Sequence, residues 1–398
     1  MIYLDNNATT RPSAGVREAV ASALGEAWAN PSSVHRAGQA ARARMELARR
    51  DVAALIGVRA RGITFTGSGA EAIDLAIRGS LAASGRRVVV TDAVEHAAVR
   101  DLCAWLEERE GVEVRRLPVD LDGVVDAAAA AEMIDASVAV VSVQWANNET
   151  GVIQPVEAIG RLCRERGVTF HCDGTQWVGK EPAAMGEDGG GWCDVLTFSP
   201  HKFHGPKGVG VLWSRPGVRL APMVHGAQEQ GRRGGTENVP GIVGAGVAAA
   251  EAAAWLADEG ERARLRALRD AFEAEVLRLT AGIGSSVNGA RLPGTRRIWN
   301  TTNIAFPRLE AEALLLLLSE RGVCASAGAA CSSGSLDPSP VLLAMGVPEA
   351  EAHGSVRFSL SRETTEEELR EAAGIIARCV EQLGGSMAAV GTGGSGGA

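Results

Sequence analysis

The chain contains very few lysines. Of its 40 Lys and Arg residues, only Lys180, Lys202 and Lys207 are lysine, and all three fall within one 28-residue window. Arginine stays protonated in proteins, whereas a lysine amine can lose its proton and form a Schiff base. Because this chain uses arginine for ordinary positive charge, its three lysines are candidates for chemistry that arginine cannot perform.

Other features are missing too, and each absence argues against a class of protein. The longest apolar run in a periodic segment, Ala313 to Leu318, is far shorter than the roughly 20 residues of a membrane span. No basic region followed by an apolar stretch opens the chain, so we expect a cytoplasmic protein with no membrane partner. Basic residues form no run and the net charge is −8, which argues against nucleic acid as a partner.

The cysteines are scattered along the chain, and no CxxC pair occurs among them. This spacing argues against both a zinc ribbon and a disulfide scaffold, so no metal site is predicted. The seven cysteines are Cys103, Cys163, Cys172, Cys193, Cys324, Cys331 and Cys379.

Composition and pattern predict an α/β fold. With 46% hydrophobic and 22% charged residues, the chain has the composition of a globular protein. Short apolar strands alternate with amphipathic helices from about residue 60 to 213, which is typical of a mostly parallel sheet covered on both faces. The predicted strands are Gly62–Thr66, Arg87–Thr91, Val138–Val143, Val168–Cys172, Asp194–Phe198 and Gly208–Trp213, and the predicted helices are Glu71–Leu81, Ala97–Glu110 and Pro155–Arg166.

A second unit follows a long Ala-rich helix predicted from Ile242 to about Leu279. Strand patterns at Asn303–Phe306 and Ser355–Leu360 and helical patterns at Glu310–Arg321 and Thr365–Leu383 indicate a smaller α+β layer. We therefore predict a large domain over residues 14–257 and a small domain made of residues 1–13 and 258–384. The Gly- and Ser-rich residues 385–398 are expected to form a flexible tail.

The segment SPHKFHGPKG, residues 199–208, directly follows a predicted strand. Ligands of parallel sheets bind at the carboxyl ends of the strands, so this position favours a functional loop over a basic surface loop. We predict that Lys202 holds pyridoxal phosphate as a Schiff base and moves protons at the substrate carbon.

An acidic partner for the pyridine nitrogen of that cofactor is present. Asp173 ends the strand Val168–Cys172, and a carboxylate there keeps the pyridinium protonated so that the ring accepts electrons. Gln176, one turn further on, is predicted to donate to the phenolic oxygen. The alternative for Asp173 alone is a helix cap.

The phosphate needs backbone donors, and Thr66-Gly67-Ser68-Gly69-Ala70-Glu71 follows a strand and opens a helix. Free N–H groups and the helix dipole suit a dianion there, although many ordinary strand-to-helix turns have this composition. His96 follows another strand, where it either stacks on the cofactor ring or has a structural role. Asn147 and Asn148 end a third strand and either form a turn or bind a ligand.

The second unit carries a cysteine among small residues, CASAGAACSSG, from Cys324 to Gly334. Cys331 is a candidate nucleophile on this loop, whereas Cys324 ends an apolar segment and is expected to be inert. Arg357 interrupts a strand pattern and either faces solvent or clamps a substrate carboxylate.

These motifs together resemble the pyridoxal-phosphate-dependent cysteine desulfurases, in particular the NifS/IscS-like group of the class V aminotransferase family. The resemblance covers nearly the whole chain, and its motifs occur in order. They include YLDNNATT from Tyr3, NPSS from Asn30, NNETG from Asn147, His201-Lys202, RRGGTEN from Arg232 and RFSLSR from Arg357.

The resemblance implies a fold-type I transferase, with a mostly parallel seven-stranded sheet in the large domain and a smaller α+β C-terminal domain. It also implies a set of roles. It assigns catalysis to Lys202, His96 and a Cys331 persulfide, with L-cysteine leaving as L-alanine. It implies a homodimer and a sulfur-acceptor protein, either an iron–sulfur scaffold or a sulfur carrier. The implied cofactor-binding residues are Lys202, Gly69, Ala70, His96, Asn148, Asp173, Gln176, Ser199, His201 and, toward the other subunit, Thr236; the implied substrate-binding residues are Asn30, Asn148 and Arg357.

Three positions depart from the family pattern. Ala70 replaces a threonine and removes a hydroxyl that would contact the phosphate, a loss that Ser68 could offset. Pro200 removes a backbone donor next to the phosphate, and Trp177 is bulkier than the usual residue.

Other activities fit the same lysine and aspartate. A selenocysteine lyase, another β-lyase or an aminotransferase would use both residues, but an aminotransferase has no use for Cys331. A catalytically inactive binding protein would not need the combination of Lys202, His96, Asp173 and Cys331.

Overall fold

The computed structural model describes residues 1–186, 188–327 and 337–392. The described strands are β1 (Ile2–Tyr3), β2 (Ile63–Thr66), β3 (Val88–Asp92), β4 (Glu113–Leu117), β5 (Val138–Gln144), β6 (Thr169–Asp173), β7 (Val195–Phe198), β8 (Gly210–Ser214), β9 (Ser286–Asn288), β10 (Thr301–Ala305), β11 (Val323–Cys324) and β12 (Ser355–Ser359). The described helices are α1 (Ala14–Glu26), α2 (Arg36–Leu55), α3 (Gly69–Ser84), α4 (Ala97–Glu110), α5 (Ala127–Met133), α6 (Val156–Glu165), α7 (Val239–Leu256), α8 (Glu259–Leu279), α9 (Ala311–Glu320), α10 (Pro340–Ala344), α11 (Glu349–His353) and α12 (Glu366–Thr392).

Seven strands form the central sheet, in the order β2-β8-β7-β6-β5-β3-β4. Strands β4, β3, β5, β6 and β7 are parallel, and β8 is antiparallel to both of its neighbours. Val88 and Val90 pack in one hydrophobic cluster, which includes residues of α2 and α6, whereas Val89 packs in another with residues of α3 and α4. Because successive side chains of a strand point to opposite faces, helices cover both faces of the sheet. The predicted α/β fold with a mostly parallel seven-stranded sheet is confirmed.

A smaller antiparallel sheet, in the order β12-β10-β9, lies in the C-terminal half. The beginning of the chain packs with it, because β1 pairs with β11 and Asp5 forms a bridge with Ser359. Ile2 and Leu4 accordingly share a hydrophobic core with residues of α8, α9 and α12. The division into domains at residues 14–257 and 258–384 stays a prediction.

Several elements differ from the sequence-based expectation. The single helix expected from Ile242 to Leu279 is two helices, α7 and α8, because the Asp258 carboxylate accepts bonds from the N–H groups of Gly260 and Glu261 and begins a new helix. Strand β4 was not predicted, since Glu113, Arg115 and Arg116 give this edge strand a charged pattern.

The last helix also runs further than predicted. The sequence indicates a helix ending at Leu383 and then a tail, whereas α12 continues to Thr392. Residues 393–398 of the predicted tail lie outside the described residues.

Among the described helices, only α7 has the length and apolar composition of a membrane span. Half of this helix is buried inside the protein, where it packs on α1 and α2. This burial is typical of the core helix of a globular protein.

A buried ion pair joins α2 to the segment that follows β8. The two terminal guanidinium nitrogens of Arg49, Nη1 and Nη2, each lie 2.7 Å from one carboxylate oxygen of Glu229. The side chains of Arg49 and Glu229 are only 5% and 2% exposed. Glu229 also accepts a bond from the N–H of Phe65 in β2, at 2.8 Å. Glu229 and Gln230 have positive φ angles of 47° and 61°, so these contacts hold a backbone conformation that such residues rarely adopt.

We predict that Glu229→Ala lowers the free energy of unfolding by about 3 kcal/mol, because it leaves the buried Arg49 charge with only the more exposed Glu46 as a carboxylate partner. Urea unfolding followed by circular dichroism measures this change. Glu157→Ala is the matched control, since the Glu157–Arg161 pair is exposed and should change stability by less than about 1 kcal/mol. Equal effects of the two variants would contradict the prediction.

Candidate functional site

The polar segments that follow β2, β3, β5, β6 and β7 meet at one edge of the central sheet and enclose a cavity of about 230 Å³. This is the edge at which parallel sheets bind ligands. The cavity is lined by Ser68, Gly69, Ala70, Ile73, His96, Ala98, Gln144, Ala146, Asn148, Asp173, Thr175, Gln176, Ser199, His201 and Lys202. The structure therefore brings together nine of the residues that the sequence singled out.

One end of the cavity is the N-terminus of α3. Ser68 caps this helix by accepting a bond from the N–H of Glu71, and the Glu71 carboxylate accepts from the N–H of Gly67 at 2.7 Å. Gly69 approaches the loop after β7 so closely that a Cβ atom there would lie 2.2 Å from Ser199 Oγ. Backbone N–H groups, a hydroxyl and a helix dipole suit an anion at this end.

Lys202 lies on a short helical turn, Pro200–Lys202, directly after β7. Its amine donates to the backbone carbonyls of Asn7 at 2.6 Å and Ala8 at 2.9 Å. The same N-terminal segment binds the turn again, since the Thr10 hydroxyl donates to the carbonyl of His201. The amine is therefore held at the cavity by the beginning of the chain. His201 is neutral, because burial and the nearby lysines lower its pKa to about 3.

Asp173 ends β6 and is buried, and one of its oxygens accepts from the N–H of Thr175 at 2.9 Å. Residues 174–186 contain no helix, so the helix-cap alternative for Asp173 is wrong: that oxygen closes a turn, and the carboxylate lines the cavity. Asp173 favours the charged form of His96, but burial dominates and lowers the pKa of His96. His96 Nδ1 accepts from the N–H of Ala98 at 3.1 Å, so the neutral ring carries its proton on Nε2.

His171 fixes the sheet beneath the cavity. Its two ring nitrogens form hydrogen bonds with the hydroxyls of Ser142 and Thr197, at 2.9 and 2.8 Å. Complete burial lowers the pKa of His171 to about 4, so this imidazole is neutral. It cross-links β5, β6 and β7 directly behind Asp173.

Asn147 and Asn148 are adjacent, and each fits one of the two alternatives predicted for them, a turn or a place in the site. Asn147 forms a turn, since its side-chain oxygen accepts from the N–H groups of Glu149 and Thr150. Asn148 lines the cavity, and its buried Oδ1 has no hydrogen-bond partner within the described part of the chain.

Arg357 does not face solvent, which corrects one of the two expectations for it. It is 2% exposed, and its guanidinium donates to the carbonyl of Asn148 at 3.0 Å and to the carboxylate of Asp5 at 2.7 Å. Its Nε is buried without a partner among the described residues. Arg357 does not line the cavity itself but contacts it through Asn148.

Other predicted site residues lie apart from the cavity or outside the described residues. Asn30 is exposed and its side-chain oxygen accepts from the N–H of Ser32 in a turn. Thr236 is also exposed and does not line the cavity. Cys331 falls within residues 328–336, which lie outside the described residues. Cys324 is half-buried in β11, paired with Tyr3.

The sequence interpretation missed several contributors, among them Asn7, whose carbonyl accepts a hydrogen bond from the Lys202 amine. The only signal for it was its place in the DNNATT motif. Within residues 1–186, 188–327 and 337–392, no group of three or more His, Cys, Asp or Glu side chains is placed to bind a metal.

Comparison with known proteins identifies the family of this chain. Residues 2–371 match the profile of the aminotransferase class-V family. A cysteine desulfurase of Cereibacter sphaeroides is 46% identical over 387 residues, covering 96% of each chain. The cysteine desulfurase NifS of Azotobacter vinelandii is 45% identical and covers 95% of this chain and 93% of its own. The solved structure of a NifS-like protein superposes with a TM-score of 0.86 at 34% identity, covering 96% of this chain and 100% of its own. Enzymes of this family depend on pyridoxal 5′-phosphate.

We predict that Gly69→Ala weakens pyridoxal phosphate binding by about fivefold, because the new methyl group would lie 2.2 Å from Ser199 Oγ and turn this hydroxyl away from the anion end, which loses one hydrogen bond. The dissociation constant is measured by titrating cofactor-free protein and following absorption. Gly25→Ala in α1 is the matched control, since a Cβ there meets nothing within 4 Å. An unchanged dissociation constant for Gly69→Ala would show that this close approach does not shape the anion end.

Proposed function

The chain belongs to the aminotransferase class-V family, and we propose that it is a cysteine desulfurase that converts L-cysteine to L-alanine and transfers the sulfur through Cys331 to an acceptor. The observation that carries this function is the convergence of Lys202, Asp173, His96 and the N-terminus of α3 on one cavity. The relatives that share this chain's length support the substrate.

The cavity fits pyridoxal phosphate by the chemistry of its donors. Gly69, Ala70, Ser199 and His201 would hold the phosphate with N–H and hydroxyl groups, and Asp173 would face the ring nitrogen. When bound, the cofactor supplies an electron sink for negative charge at the substrate carbon. Ala70 has no side-chain hydroxyl and Pro200 has no backbone N–H, so this site offers fewer hydrogen-bond donors to the phosphate than the family pattern does. Ser68 lines the cavity, and because its hydroxyl accepts from Glu71, its O–H can still donate to the phosphate.

Lys202 and His96 would handle the protons. The amine of Lys202 is held at the cavity by two carbonyls, where it can take a proton from the substrate α-carbon. His96 is neutral with its proton on Nε2, so this N–H can donate a hydrogen bond into the cavity, and the ring can release a proton there once it has become an imidazolium. The charge of Asp173 stabilises this transient imidazolium form of His96.

Arg357 and Asn148 would receive the substrate. The guanidinium of Arg357 is buried and has an unused Nε–H within the described residues, while the amide of Asn148 lines the cavity. A carboxylate bound beside them would be fixed by charge-assisted hydrogen bonds in a site of low dielectric. Asn30, which is exposed, would join the substrate site only through a rearrangement or a partner subunit.

The sulfur step uses Cys331. Its thiolate attacks the substrate sulfur, so that an S–S bond forms while the substrate Cβ–S bond breaks and its electron pair stays on carbon. A proton on that carbon and the return of the α-proton by Lys202 complete alanine, and Cys331 keeps a persulfide. A thiol of the acceptor, either an iron–sulfur scaffold or a sulfur carrier, then takes the terminal sulfur. We place this reaction in the cytoplasm.

We also propose a homodimer in which Thr236 contacts the phosphate site of the other subunit. The exposed position of Thr236 supports this, and so do the apolar side chains of Leu24, Trp28 and Val34, which are 63%, 76% and 93% exposed near Asn30. Sedimentation equilibrium should give twice the chain mass. A monomer at micromolar concentration would contradict the shared site.

We predict that Cys331→Ser lowers alanine formation by at least about 100-fold, because a serine hydroxyl is a far weaker nucleophile than a thiolate. The assay contains the protein, pyridoxal phosphate, L-cysteine and a reducing thiol, and it quantifies alanine, sulfide and pyruvate. Alanine and sulfide should form in equal amounts.

Cys324→Ser is the matched control, since this half-buried thiol in β11 should leave the rate unchanged. Pyruvate in place of alanine, formed equally well by Cys331→Ser, would replace the proposal with a β-eliminating lyase. Faster turnover of selenocysteine, with alanine formed independently of Cys331, would indicate a selenocysteine lyase.

A further inference from the structure

Lys180 is a buried lysine that the proposed chemistry leaves without a role. It is one of only three lysines in the chain, and it is 4% exposed. Its amine donates to the side-chain oxygen of Gln176 at 2.6 Å and to that of Asn7 at 2.9 Å. Its carbonyl accepts from the indole N–H of Trp299 at 2.9 Å, so the backbone is fixed as well.

Both partners of the Lys180 amine are neutral amides, and none of the ion pairs among the described residues involves it. A buried lysine normally has an acidic partner, because its charge is costly to remove from water. Burial lowers the pKa of Lys180 well below its usual value, and the neighbouring charges of Lys202 and Arg357 lower it further. The amine therefore does not serve as half of a salt bridge.

Asn7 connects this amine to Lys202. The side-chain oxygen of Asn7 accepts from Lys180 and from Asn300, and its amide nitrogen donates to the Asn148 carbonyl and the Thr301 hydroxyl. All four hydrogen-bonding positions of the carboxamide are used, so the residue is rigid. Its backbone carbonyl is the acceptor of the Lys202 amine, at 2.6 Å.

The Lys180 amine also determines which way the Gln176 carboxamide points. Because Lys180 is a donor, it selects the oxygen of Gln176 as its neighbour. A carboxamide turned by 180° would place N–H donors against the amine and would lose the bond. The amide nitrogen of Gln176 is therefore held on the side of Asn7, to whose carbonyl it donates at 3.1 Å.

We propose that Lys180 is a positioning residue of the cofactor site. It fixes the Gln176 carboxamide so that one N–H donates to the Asn7 carbonyl and the second N–H is available to the phenolic oxygen of pyridoxal phosphate. Through Asn7 it also fixes the carbonyl that accepts from the Lys202 amine. This inference rests on the cofactor site of the proposed function, but it does not depend on the fate of the substrate sulfur.

The test is a pH titration of the visible absorption of the bound cofactor. Lys180→Met removes the donor but keeps an unbranched side chain of similar length. We expect the titration midpoint to rise by about one pH unit, which corresponds to one lost hydrogen bond to a charged oxygen. Without that bond the negative oxygen is less stabilised, and the cofactor keeps its proton to higher pH. Lys207→Met, at the exposed third lysine, should leave the midpoint unchanged.

A double-mutant cycle separates positioning from a purely structural role. Gln176→Met alone should raise the midpoint by a similar amount, and adding Lys180→Met to it should raise it little further. Shifts that add fully, or a Lys180→Met variant that loses thermal stability with an unshifted midpoint, would overturn the proposal.

If Lys180→Met does not fold, Lys180→Gln takes its place, because glutamine keeps an N–H donor. Its midpoint should shift less than that of Gln176→Met, and an equal or larger shift would contradict the positioning role. A parent protein that shows no visible cofactor absorption would refute the proposed function itself. A parent that binds cofactor and forms alanine, with an unshifted Lys180→Met, would refute only the role of Lys180.

Discussion

The carboxamide of Asn7 is the interaction on which the site depends most. It lies where the N-terminal segment passes between the central sheet and the C-terminal sheet, and its four side-chain hydrogen bonds reach Lys180 and Asn148 on one side and Asn300 and Thr301 on the other. A buried amide with every position used resists rotation, because any turn leaves polar groups unpaired in a dry interior. The backbone carbonyl that holds the Lys202 amine is consequently fixed as well.

The site around this amide is built mainly from groups that are neutral. Burial lowers the pKa values of His96, His171 and His201, so these three imidazoles are neutral. The end of the cavity that suits a phosphate offers N–H groups, hydroxyls and the dipole of α3. Such a site can bind a dianionic cofactor while leaving proton positions adjustable, because small changes in nearby charge decide the state of a neutral imidazole in a low dielectric.

Rigid ion pairs fix the segments that surround the cavity. Glu71 in the first turn of α3 binds the Gly67 N–H and is itself held by Arg233 at 2.7 Å. Arg233 precedes Thr236 by three residues, and Glu229, just upstream, forms the buried pair with Arg49. The anion end of the cavity and the exposed segment around Thr236 are thus parts of one hydrogen-bonded unit. A partner subunit that bound Thr236 would therefore also constrain the turn at residues 66–71, which begins α3.

The sequence by itself determined the α/β class, six of the seven strands of the central sheet, and most of the residues that line the cavity. These follow from local pattern, since apolar runs define strands, and polar residues at strand ends meet at one edge of a parallel sheet. Only the tertiary structure showed that Asn148 contacts Arg357, that Arg357 is buried against Asp5, and that Lys180 contacts Asn7. The reason is physical: these contacts join residues up to 352 positions apart, and local pattern carries no information on which distant polar groups will satisfy one another in a buried interior.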